Sequence, residues 1–388
     1  MRYLWYSMYV FATALALYAL FFRGPSQATV PSPPPASVVT DVSPAHPNPV
    51  LKTEVDVQIV LILDTSSSMD GLVEQARTQL WEMVSEMQID EDDQERTVAV
   101  SLYQYGNSRL SKAEGFIENL TPLTTDLDHV TVKLYSLRTS GGKEYAPQAI
   151  KRAVEELDWE TDDSVQKLIV LAGNEGFGQG PVSPADAFES AAQNGIAVLP
   201  IYCANRGASK TAISSWRNAA GLAGVEFDSI DPDQQVAKIE SPFDAEILRK
   251  YRELEENKVY AAGAGQSTYC QEAESYLDKG VAVDRAVVQS RQESSADLVN
   301  AYDKPGFNSL SPQSMPEDLR GKSKDEQRRY LAEKQARQSE LKKEITELNQ
   351  KRQQHIQQRM EEIPAYQSTK SNLGTSFRKN ARGVLKSY

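Results

Sequence analysis

The chain has 388 residues, 40% hydrophobic and 25% charged, enough apolar material for one sizeable core with extensions or for two small domains, and too much for a disordered polymer. Its net charge of -12 is unevenly spread: 17 Lys/Arg stand against 8 Asp/Glu after Leu319, which leaves 25 against 46, a net -21, on residues 1–319. A body that acidic excludes nucleic-acid binding by the folded part, because affinity for phosphates needs a concentrated basic face, and 2 cysteines with 3 histidines exclude a disulfide scaffold or a Cys/His zinc module.

Met1 and Arg2 precede an apolar run from Tyr3 to Phe22, about 20 residues, the length of a helix crossing a bilayer. The run is longer than most secretory h-regions, so residues 1–23 are expected to be an uncleaved signal anchor. Cleavage after Ser26-Gln27-Ala28 is the alternative, since small residues stand at the positions a signal peptidase reads. Either reading sends the bulk of the chain out of the cytoplasm, to the periplasm or the cell surface. With the anchor retained, the protein is a single-pass membrane protein. Residues 24–52 are rich in Pro, Ser and Ala and read as an extended spacer with polyproline character.

From residue 53 to 241 apolar runs alternate with amphipathic stretches. Val57 to Leu63 (VQIVLIL) is continuous in the manner of a strand covered on both faces. Leu72, Ala76, Leu80, Met83, Val84 and Met87 follow at helical spacing. The alternation continues with a strand at Thr97 to Tyr105, helices at Leu127 to Leu137 and Tyr145 to Leu157, and a strand at Lys167 to Ala172. Next come a helix at Pro184 to Gln193, a strand at Ile196 to Tyr202, a helix at Ala208 to Ala220 and a strand at Val225 to Ile230. The pattern implies an α/β, doubly wound, mainly parallel sheet with ligand-accessible loops at the carboxyl ends of its strands.

At the first of those ends stands Asp64-Thr65-Ser66-Ser67-Ser68. An Asp-x-Ser-x-Ser triplet there offers one carboxylate and two hydroxyls, oxygens of the kind a hard divalent cation takes. The competing reading is structural: Ser66 and Ser68 cap the following helix while Asp64 accepts backbone N–H groups.

The segment VLILDTSSSMDGL resembles the first motif of von Willebrand factor type A (VWA) domains, whose metal-ion-dependent adhesion site (MIDAS) begins Asp-x-Ser-x-Ser. LYQYGN (Leu102 to Asn107), TSGGKEYAPQAI (Thr139 to Ile150) and VLAGNEGFGQG (Val170 to Gly180) look like those of a bacterial membrane-anchored or exported subgroup of such proteins. The resemblance is strong from Val55 to about Ser241. It implies a divalent cation, Mg²⁺ first and Ca²⁺ or Mn²⁺ as alternatives, held by Asp64, Ser66, Ser68, Glu144 and Asn174. Two of these depart from the family pattern: Glu144 stands where a Thr is expected after the Gly-Gly pair, and Gly173 or Asn174 where an Asp is expected. Glu144 restores the negative charge that Asn174 lacks, so a rearranged working site and a degenerate one are both open.

Nothing points to catalysis. His46, His129 and His355 fall in the spacer, on a helix expected at the surface and in a charged C-terminal helix, away from the Asp64 loop. The glycines from Gly173 to Gly180 lack both the P-loop ending and the Rossmann spacing. The chain is therefore read as a non-enzyme. Cys203 and Cys270 could pair outside the cytoplasm, with two separate thiols as the default.

Residues 242–316 read as helices ending in a Pro-containing connector. Within 317–363, Lys324 to Glu362 has no Gly or Pro and forms one long charged helix. Leu331, Leu341, Ile345, Leu348, Ile356, Met360 and Ile363 keep a partial seam that Arg352 and Arg359 interrupt. A coiled coil that would make a homo-oligomer and a single helix docked on the body are equally open. Residues 364–388, basic and poor in apolar side chains, read as a flexible tail. The function expected is an envelope-anchored binding module whose partner, a protein or surface ligand, completes the metal shell with a carboxylate; a metal-free structural tether is the alternative.

Overall fold

The computed structural model describes residues 54–386 except 91, 205–208, 235–237, 261–266, 293–296, 301, 303–306, 308–314 and 363–370. The expected anchor at 1–23 and the spacer at 24–52 thus lie outside the described residues. Among the described residues no helix is long and apolar enough to cross a membrane.

Six strands, β1 (Val57–Asp64), β2 (Val98–Tyr105), β3 (Ile117–Thr124), β4 (Gln166–Gly173), β5 (Ala197–Cys203) and β6 (Asp228–Ile230), form one sheet in the order β3-β2-β1-β4-β5-β6. All pairings are parallel except β2 with β3. β1 lies between β2 and β4 and every one of its residues is buried, as its unbroken apolar run requires. Alternate side chains feed opposite layers: Ile59, Leu61 and Leu63 enter one cluster, Val60 and Ile62 the other. The sequence reading did not include β3. Its burial alternates weakly, and Pro122 sits within it, which an edge strand tolerates because it has a side with no ladder to donate to.

Helices α1 (Asp70–Met87) and α2 (Leu127–Ser136) cover one face. Helices α3 (Ala146–Glu156), α4 (Pro184–Gln193) and α5 (Lys210–Leu222) cover the other. Among the described residues after 241, the helices pack on the sheet's α1 side. α6 (Asp244–Glu256), α7 (Cys270–Tyr276), α8 (Lys279–Arg291) and the long α9 (Lys324–Glu362) build onto the α1 side, within one compact unit. Val281 and Val288 of α8 belong to the same core cluster as β1, so the sheet needs residues beyond 241 to complete its cover.

The tail expectation is corrected over residues 371–386. α10 (Leu373–Leu385) begins with a capping box between Asn372 and Thr375. It buries Leu373, Phe377, Ala381, Val384 and Leu385 in the core with α1 and β5. Spacings of about one helical turn put these few apolar side chains on one stripe, and the basic residues occupy the rest. α9 docks: Leu341 and Ile345 pack with Ile247, Tyr251 and Val283, and Leu331 packs with Val259 and Leu298. The seam that could have made a coiled coil is used inside the chain. Cys203 and Cys270 are free thiols, both buried. His129, expected to face solvent, is half-buried and stacks on Tyr269 with ring centroids 4.2 Å apart.

Candidate metal centre

β1 is followed by β2 on one side and joined by β4 on the other, so the carboxyl ends of β1 and β4 form the switch point where an open α/β sheet leaves a crevice. Asp64 is the last residue of β1 and fully buried. Its Oδ1 accepts the backbone N–H of Ser66 at 2.8 Å. Its Oδ2 is buried with no hydrogen-bond partner.

The serines do not cap α1. That helix starts after Met69 with no side-chain cap, and Met69 N–H instead donates to the Ser66 carbonyl. Ser66 Oγ is buried and unpartnered. Ser68 Oγ, on the exposed side of the loop, accepts from Asn174 Nδ2 at 2.9 Å, while Asn174 Oδ1 is buried without a partner. Three side-chain oxygens from the two loops are therefore withheld from water and given nothing to bond. Unpartnered oxygens also occur elsewhere in the chain, but here three of them come from two adjacent loops beside a carboxylate, the donor set a bound cation would satisfy.

Glu144 precedes α3 and is 8% exposed. Its Oε2 accepts from Gln179 Nε2 at 3.3 Å. Its Cγ approaches the Asp64 carboxylate across Gly106: a Cβ on Gly106 would lie 2.8 Å from Asp64 Oδ1 and 3.0 Å from Glu144 Cγ, and the glycine also sits at φ +78°. The loops are zipped together by Ser140 N–H to the Thr65 carbonyl, by Ser108 Oγ with Ser140 Oγ at 2.9 Å and by Thr139 Oγ1 donating to Asp70 Oδ1 at 2.5 Å. All five residues anticipated from the sequence thus lie in one cluster.

Burial pushes the Asp64 carboxyl up to about 7, against the lowering effect of the Ser66 N–H bond and with a further push from the Glu144 charge. Glu144 is also raised, by burial first and by the nearby Glu175 carboxylate. Two carboxylates held away from their ordinary ionisation, beside orphaned hydroxyl and amide oxygens, make a set suited to a hard cation such as Mg²⁺ or Ca²⁺ rather than to a thiophilic metal. Among the described residues no three of His, Cys, Asp and Glu come together as a metal cluster, so the neutral oxygens must supply the rest of any shell.

Two residues of this centre, Tyr105 and Gln179, escaped the sequence reading, and Gly173, named there only as one position for the expected Asp, proves to matter as a glycine. Tyr105, the last residue of β2, is in register with Asp64 and fully buried. Gly173 ends β4, and a Cβ there would lie 2.1 Å from the Tyr105 hydroxyl. Gln179 is the donor to Glu144. Gly106 and Gly173 stand inside the motifs quoted above, and a glycine at a strand end, where a backbone must approach closely, is the signal that points to the residues packed on them.

No curated protein matches this chain. Among solved structures, proximal thread matrix protein 1 from the mussel byssus is 14% identical over 46% of this chain and 42% of that one, with a TM-score of 0.35. The match therefore spans less than half the length of the byssus protein. The SpRpn10 VWA domain is 16% identical over 47% of this chain and 91% of its own, with a TM-score of 0.35. The pilus adhesin SpaC from Lactobacillus rhamnosus GG is 14% identical over 46% of this chain and 28% of its own, again with a TM-score of 0.35. Residues 58–214, which carry the Asp64 loop and the strands from β1 to β5, match the family model of the von Willebrand factor type A domain.

Proposed function

We propose that the chain is an envelope-anchored binding module, not an enzyme, whose VWA domain holds a divalent cation at Asp64, Ser66, Ser68, Glu144 and Asn174. Through that cation it grips a carboxylate of a protein or surface ligand. The observation that carries the reading is the trio of buried, unpartnered oxygens, Asp64 Oδ2, Ser66 Oγ and Asn174 Oδ1, at the switch point of the sheet. A cation placed among them would satisfy all three and remove the charge penalty that holds Asp64 toward its protonated form. Mg²⁺ is the first choice, since the set is all oxygen and leaves room for water in the shell.

The test is thermal. Adding millimolar Mg²⁺, Mn²⁺ or Ca²⁺ to chelated protein should raise its melting temperature by mass action. Asp64→Ala should abolish the rise, and an unchanged melting curve with all three ions would overturn the metal reading. Anchoring rests on the apolar run from Tyr3 to Phe22 and is tested separately with reporter fusions after Val50. Activity only of a reporter that works in the cytoplasm would reverse the orientation.

A further inference from the structure

We infer that the Tyr105 hydroxyl is a working part of this cation centre, filling the volume a side chain at position 173 would take and hydrogen-bonding, through water, to the shell of the ion beside Asp64. The inference deepens the cation reading above and rests on it.

The geometry starts from Gly173. A Cβ built there would lie 2.1 Å from the Tyr105 hydroxyl and 3.1 Å from Asp64 Oδ2. The hydroxyl and the orphaned carboxylate oxygen therefore flank one point and are at most about 5.2 Å apart. They do not bond directly, because Asp64 Oδ2 has no partner. A separation near that upper limit is one that a single water spans with two ordinary hydrogen bonds.

The hydroxyl is also underused. Its one acceptor is the Ala172 carbonyl at 3.4 Å, long for an O–H···O bond, although the residue is fully buried. A phenylalanine would pack the same ring against Ile62, Ile117 and Ile150 in this layer without burying a poorly bonded hydroxyl. A phenol is a weak direct ligand for a hard divalent ion, whereas Mg²⁺ keeps part of its water shell and orders it on nearby polar groups. Burial, and then the charge of Asp64, keep the Tyr105 phenol well above its ordinary value, so it stays a neutral donor.

One consequence concerns the residue opposite. No side chain, acidic or otherwise, fits at 173 while the Tyr105 hydroxyl is in place, so the tyrosine and the glycine form a matched pair. The pair accounts in steric terms for the glycine at 173.

The test uses the full chain in detergent, with Mn²⁺ as the probe, followed by its paramagnetic resonance and by water-proton relaxation. Tyr105→Phe should weaken Mn²⁺ binding by about 10-fold, the size of effect seen when a group hydrogen-bonded to a metal's ligands is lost, and should change the relaxation enhancement of the bound ion. Its melting temperature in chelator should equal or exceed that of the wild type, which separates a role at the ion from a role in folding. Gly173→Ala should lower the chelated melting temperature in the wild-type background and much less in the Tyr105→Phe background. If wild type binds Mn²⁺ and Tyr105→Phe binds it equally with unchanged relaxation, the inference fails and the cation reading stands. If wild type takes up no Mn²⁺, both fail.

Discussion

Arg352 donates through Nε to Asp244 Oδ1 at 3.1 Å, joining the last third of α9 to the first residue of α6 across 108 positions of sequence. Its Nη1 reaches Asp284 Oδ1 of α8 at 2.8 Å, and all three side chains are buried. Asp284 is shared with Lys238, which also pairs with Glu82 of α1 at 2.9 Å. The long helix is thus fastened to the body by a charge network as well as by Leu341 and Ile345.

Arg352→Ala should therefore destabilise the protein by about 3–5 kcal/mol, the range for removing one partner of a buried ion pair, because Asp244 would be left charged and buried. Arg352→Met with Asp244→Asn should recover part of the loss. Urea denaturation midpoints measure both. A midpoint unchanged in Arg352→Ala would mean that α9 does not depend on this anchor.

Read from the sequence alone, the same arginine interrupts an apolar seam. The seam is real, but a one-dimensional pattern does not show which partner buries it, and the acids that receive Arg352 lie 68 and 108 positions away. β1 and the Asp64 loop were legible because their signal is local: an unbroken apolar run followed at once by Asp-x-Ser-x-Ser. Glu144 and Asn174 were found through neighbouring motifs. Tyr105 was not, since a tyrosine ending an apolar strand looks like ordinary core. The anchor expected at residues 1–23 lies outside the described residues.

The basic C-terminal segment gives a second prediction. Phe377 is fully buried among residues of α1 and the sheet. Leu373 N–H and Gly374 N–H donate to the side chains of Gln75 and Gln79 at 2.8 and 2.9 Å. Phe377→Ala should cost about 3–5 kcal/mol, as for other buried aromatic truncations. A flexible appendage would give no change, so the denaturation midpoint separates the two descriptions directly.

A third prediction compares the two departures from the family pattern. Glu144→Gln removes a charge from the centre, whereas Asn174→Ala removes only a neutral oxygen. Glu144→Gln should weaken Mg²⁺ binding by about tenfold or more, the effect of one pKa unit of charge interaction, and should exceed Asn174→Ala. Glu144→Thr should also bind more weakly, and adding Asn174→Asp should recover affinity by returning the lost charge. Calorimetric titration reads all four, and equal affinity in wild type and Glu144→Gln would remove Glu144 from the shell.

The fourth prediction concerns pH in the presence of chelator. Burial raises the Asp64 carboxyl from 3.8 to about 7, so between those values the folded chain binds a proton that the unfolded chain has released. Stability from this group is then fully present below pH 3.8 and is lost as pH rises toward about 7, a change of about 4 kcal/mol if the whole shift is realised. Glu144, also raised, acts in the same direction. Chelated wild type should therefore lose stability from near pH 5 to near pH 7.5 relative to Asp64→Asn, which has no proton to lose at this position. Mg²⁺ should reverse the loss, and should do so more strongly at the higher pH, where the ionised carboxylate is available and no proton competes with the ion. Urea midpoints of the two proteins at both pH values, with and without Mg²⁺, give the comparison. A wild type that follows Asp64→Asn across the whole range would show that the Asp64 carboxyl does not pass from protonated to ionised in that interval.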